Sequence, residues 1–114
     1  MNTDIQKGRV VFYTLKDGQT RPAIVVRVWA EESGASYPPG VVNMNVQVDG
    51  TNDAQGPLDA YGIAATGISA DEAKAGVAWR TSVHPSESGN PEPGRWHWPP
   101  RVPIDFSKMQ AVPA

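Results

Sequence analysis

The chain has no cysteine and only two histidines among its 114 residues. Disulfides, thiolate zinc sites and cysteine nucleophiles are therefore excluded, and two histidines are a thin inventory for a metal centre. Ten Lys and Arg against twelve Asp and Glu give a formal charge of −2. The clustered positive charge that tracks a phosphate backbone is missing, so duplex DNA is not an expected partner. No apolar run approaches the roughly 18 residues of a membrane span, and the opening "MNTDIQKGRV" lacks the charged, apolar, small-residue order of a secretory signal. The expectation is a soluble protein that stays inside the cell in which it is made.

Catalytic motifs are also wanting. No G-x-S-x-G elbow, Walker loop or G-x-G-x-x-G is present. Each histidine stands beside a proline or a tryptophan, with no carboxylate at a telling spacing. Asp49 and Asp53 flank a Gly-Thr-Asn stretch that is oxygen-rich like a calcium loop, but the EF-hand spacing and its terminal glutamate are absent. An Asx-rich turn is the simpler reading. The chain is expected to be no enzyme and to need no cofactor or metal.

What is present reads as strands. Gly and Pro number 11 each, and proline breaks helix interiors because it lacks an amide proton. "GRVVFYTL" (residues 8–15) and "RPAIVVRVWA" (21–30) flank "KDG" and predict a hairpin, with Pro22 tolerated as the first residue of its strand, where no ladder amide is yet required. In "VNMNVQV", Val42, Met44, Val46 and Val48 alternate with Asn43, Asn45 and Gln47, which predicts a strand with one wet face. "SADEAKAG" (69–76) carries Ser69, Glu72 and Gly76 at capping-box and C-cap positions, the signature of a short helix. "VAWRTSV" (77–83) predicts a strand with Val77, Trp79, Thr81 and Val83 on one face, and "RWHW" a last short one. The resulting class is mainly β: a small antiparallel barrel, SH3-like, or a two-sheet sandwich, with one short helix. Residues 1–98 are expected to form one domain and 99–114 an extended Pro-rich arm.

Four tryptophans in so short a chain are the most conspicuous chemistry. Indoles stack on flat rings and guanidiniums pair with anions, which makes Arg27, Trp29, Trp79, Arg80, Arg95, Trp96 and His97 candidates for ligand binding. Asn45 and Gln47 could supply the polar wall of a cleft. Trp96 and Trp98, sharing a strand face, could equally close the core.

The order of landmarks, "DGQTRPAIVVRVW", "VNMNVQVDGTND", "WRTSV" and "PGRWHWPPRV", resembles a widespread group of small tailed-bacteriophage and prophage proteins. The likeness runs from Gly8 to Val102 and weakens over residues 54–75, which look like an insertion. No agreed activity attaches to that group. The resemblance therefore implies origin, and a setting in the host-cell cytoplasm or in the virion, more than function. "RPAIVV" after a glycine turn is also similar to the second strand of SH3-like toxins of the PemK type, without their nuclease residues. The expected function is a non-catalytic phage accessory protein that binds a small anionic or nucleotide-like ligand, such as a host immune signal. The alternative is a virion component decorating a capsid or connector. Either reading implies a homo-oligomer or other phage proteins as partners.

Overall fold

Two β-branched runs joined by a tight turn start the sheet. β1 (Val10–Thr14) pairs antiparallel with β2 (Thr20–Val28), with Val10 opposite Ile24 and Thr14 opposite Thr20. The computed structural model describes residues 2–31 and 37–100. Most of the expected Pro-rich arm, from residue 101 onward, lies outside the described residues. β3 (Val42–Gln47) and β4 (Val77–Val83) add to β2 on one side, and β5 (Trp96–His97) adds to β1 on the other. The order is β4-β3-β2-β1-β5, with every ladder antiparallel.

The fold is thus mainly β, a five-stranded sheet that is not closed into a barrel. An isolated bridge between Pro85 and Trp96 brings the chain beyond β4 towards β5. β5 is only two residues long, too short to carry a closing ladder.

Pro22 does not sit at the first residue of its strand, as the sequence reading placed it, but at the third of a central strand. It is harmless there for a geometric reason. Val25 N–H donates to Arg9 O, so odd residues of β2 bond towards β1 and an amide at position 22 would point towards β3. The β3 ladder begins only at Ala23, opposite Val46. The missing amide therefore falls at the margin of that ladder and not inside it.

One face of the sheet is the core side. Val11, Ala23, Val25, Val42, Met44, Val46, Ala78 and Trp96 are buried there. Their cover comes from residues 49–76, which include the stretch 54–75 expected to be an insertion and contribute Ile68 and Ala73 to the same cluster, with Ile5 from the N-terminal segment. This stretch is a structural layer of the fold. α1 (Ala70–Ala75) lies within it and has the expected capping box, Ser69 Oγ accepting from Glu72 N and Glu72 Oε1 accepting from Ser69 N. Gly76 ends the helix in the left-handed region at φ 75°. The cover approaches closely at Gly50, where a Cβ would stand 2.7 Å from Ala73 O.

Two further interactions hold the cover. Asp53, fully buried, receives Arg21 Nε at 2.8 Å and also Arg21 Nη2, while Asp49 N and Asn52 Nδ2 each donate to it at 2.8 Å. Arg80 pairs with Glu72 at 2.6 Å and donates to Gly67 O at 3.2 Å.

The alternation expected of β4 fails near its end. Met44 faces Arg80 but Val42 faces Val83, so β4 carries one extra residue, and Ser82 takes φ 51° to absorb it. β2 has a matching irregularity between Val25 and Arg27, again opposite Asn43. Trp79 therefore faces outward and Val83 inward, not together as the sequence pattern implied.

Candidate functional site

Asn43 was expected on a wet polar ladder with Asn45 and Gln47. It is buried instead, because irregularities in both neighbouring strands close over it. Its Oδ1 accepts from Ser82 N and from Trp29 Nε1, each at 2.9 Å. Trp29 follows β2 in a 3-10 turn, Trp29–Glu31. The anchored indole supports Arg27, whose Cζ lies 4.0 Å from the ring centroid, and meets Tyr37 at 5.0 Å. Arg27 and Trp29 are thus brought together as anticipated.

Across the outer face, strand register lines up Val10, Ile24, Asn45 and Trp79, each directly opposite the next. Trp79 is 48% exposed and Val26 stands exposed beside this row. Gln47 is exposed at the same face's margin. The surface is aromatic and apolar, and it is flat: none of the cavities described below includes Trp79, Asn45 or Gln47.

The remaining candidates have structural partners. Arg80 is tied to Glu72, as described, and Arg95 donates to Pro85 O at 3.0 Å. Glu92 accepts from Ser86 Oγ, Ser88 Oγ and Ser88 N at 2.7, 2.7 and 3.0 Å, which holds its carboxyl down to about 2 and ties the loop before β5. Trp96 is wholly buried and donates to Gly40 O at 2.7 Å. It belongs to the core. His97 is also buried, edge-on to Phe12 at 5.7 Å, and its Nδ1 has no hydrogen-bond partner among the described residues. Burial pushes its pKa down, so the ring is neutral near pH 7.

Two cavities lie on either side of Trp98, apart from a smaller one of about 230 Å³ beside Arg80 and one of about 380 Å³ between Asp4 and Gly40. One cavity of about 810 Å³ is lined by Asn2, Asp4, Gln6, Arg9, Val10 and Trp98. Arg9 Cζ stands 5.5 Å from the Trp98 ring centroid, and no carboxylate pairs this guanidinium among the described residues. Trp98 is fixed by donating Nε1 to Asn2 O at 2.6 Å and by an edge contact with Trp96 at 5.4 Å. A second cavity of about 270 Å³ is lined by Phe12, Thr20, Asn90, Pro91, His97 and Trp98.

No family model, curated protein or solved structure matches the chain. The site must be read from its own chemistry. A flat indole, a guanidinium and the amides of Asn2 and Gln6 converge on one concavity, which is a setting for a planar anion. Among the described residues no group of three or more His, Asp or Glu side chains is placed to hold a metal, and no helix is long and apolar enough to cross a membrane. Arg9 and Trp98 escaped the sequence reading as a pair because they lie at opposite ends of the fold's chain order. The only available signal was the surplus of indoles.

Proposed function

We propose that the protein is a non-catalytic binding module of the phage accessory kind, which captures a small anionic, nucleotide-like ligand in the cavity between Arg9 and Trp98. The observation that carries this reading is the Arg9–Trp98 pair, a cation with no carboxylate partner among the described residues standing over an indole at a cavity of about 810 Å³. The indole stacks on the ring, Arg9 meets the charge, and Asn2 and Gln6 supply donors and acceptors for a base edge. Asp4 suits an amino or hydroxyl group. Capture without turnover would lower the free concentration of a host signal in the cytoplasm. The likeness to phage proteins supports that setting, and the Pro85–Trp96 bridge supports the finer reading of the sheet as related to SH3-like barrels.

Thermal-shift measurements against a panel of nucleotides test the proposal. A ligand at 100 times its dissociation constant should add about 2.7 kcal/mol of apparent stability, roughly 10 °C for a domain of this size. Arg9 is exposed, so Arg9→Gln should keep the ligand-free melting temperature and abolish most of the shift. Identical shifts in the parent and the variant would exclude this cavity.

The flat outer face favours a second reading, a virion component held by an apolar contact with its own copies or with other phage proteins. On that reading Trp79→Ser should reduce self-association or incorporation into particles several-fold while changing fold stability by less than about 0.5 kcal/mol. Light scattering and analysis of purified particles measure both. Unchanged assembly would rule the second reading out.

A further inference from the structure

Trp98 lines both cavities, and the two differ in chemistry. The larger has Arg9, Asp4 and amide side chains. The smaller has no charged residue in its lining. It is bounded by the rings of Phe12, His97 and Trp98, by Pro91 and Pro100, and by Thr20 and Asn90. A slot of this kind accepts a flat, uncharged ring and gives an anion nothing to pair with.

Spacing along β1 relates the two. Val10 lines the first cavity and Phe12 the second, both from the outer face of the strand. Two strand residues span roughly 7 Å. That is about twice the 3.4 Å step of one nucleic-acid strand, the separation that two bases reach when one ring is inserted between them.

A third observation comes from His97. It is 5% exposed and its Nδ1 is buried with no partner among the described residues. Orphaned polar atoms of this kind are uncommon and call for an explanation. In the Nε2–H tautomer Nδ1 is an acceptor, and the exocyclic amino group of a base is a donor of the kind it would take.

We infer that the two cavities form one bipartite site, with Trp98 as the wall between its halves, for a ligand of two flat rings joined by an anionic linkage, the chemistry of a dinucleotide. One ring and the linkage occupy the half beside Arg9, and the second ring enters the slot lined by Phe12, Thr20, Asn90, Pro91 and His97. This rests on the nucleotide-binding reading above and narrows it.

The test uses the full chain, with calorimetric titration and side-chain NMR. The probes are adenosine monophosphate, linear adenylyl-adenosine and cyclic di-adenosine monophosphate. At least one dinucleotide should bind tenfold or more tightly than the mononucleotide. His97 ring resonances should move with that dinucleotide only, whereas Trp98 indole resonances should move with every binder. Phe12→Leu should remove the dinucleotide advantage and leave mononucleotide affinity within about twofold, a result independent of any destabilising change at His97. Equal affinities with a silent His97 would overturn the bipartite site and leave single-nucleotide capture standing. Absence of binding by all three probes would overturn both.

Discussion

An Asn43→Ala protein is expected to unfold about 2–3 kcal/mol more easily than the parent, because one buried oxygen serves two donors and truncation leaves both without it. Oδ1 takes the Ser82 amide, freed from the ladder by the extra residue in β4, and the Trp29 indole N–H. Asn43 is only 6% exposed, so the acceptor that both donors lose is a buried one. Urea unfolding measures the loss as a lower midpoint with an unchanged slope. Asn45→Ala is the control. It lies on the same strand but is only partly buried and should change stability by less than about 0.5 kcal/mol. Equal behaviour of the two variants would show that Asn43 is not the organising side chain of this region.

Asp53→Asn should be at least as damaging, by about 3 kcal/mol, since it leaves the Arg21 guanidinium without its forked partner and loosens the cover of the core. Hydrogen bonding from Arg21, aided by Asn52 and the Asp49 amide, holds the Asp53 carboxyl down to about 2. In the unfolded chain the same group titrates near 3.9. The native state is therefore stabilised by this carboxylate fully above about pH 4, and that contribution is lost as the pH falls towards 2. Allowing for screening at the partly exposed Arg21, it amounts to about 2 kcal/mol. Glu92 moves in the same direction through its Ser86 and Ser88 hydrogen bonds. Unfolding midpoints at pH 7, 4, 3 and 2 should decline steeply between pH 4 and pH 2 in the parent and less steeply in Asp53→Asn. Parallel curves would refute the assignment.

Local chemistry was legible in the sequence, and distant pairing was not. Ser69, Glu72 and Gly76 announced the helix because a cap is completed within one turn of chain. Val42, Met44 and Val46 announced their buried face through strict alternation. The Asx reading of residues 49–53 was right about the turn, where Thr51 N donates to Asp49 Oδ1 at 2.9 Å, yet silent about Arg21, whose pairing with Asp53 is set by tertiary packing. Alternation placed Val83 on the face of Trp79 because a serine at positive φ carries no compositional warning of the bulge that turns Val83 inward. Of the candidate binding residues, Arg27 and Trp29 meet, and Asn45 sits opposite Trp79. Arg80, Arg95 and Trp96 turned out to have partners within the fold. The cavity flanked by Arg9 and Trp98 needed the assembled sheet, since β5 is brought to β1 by the long-range register of Phe12 with His97 and Tyr13 with Trp96.

The paired irregularities around Asn43 also bear on how the chain finds its register. Most of β3 is interchangeable in outline, valines and methionine on one side and amides on the other, so sliding by two residues would preserve its polarity. A slip that put Val41 where both neighbours bend would strand an amide and an indole proton together. Misaligned hairpins on either flank of β3 are thereby disfavoured by the same residue, which gives the central strand a built-in check on faithful assembly.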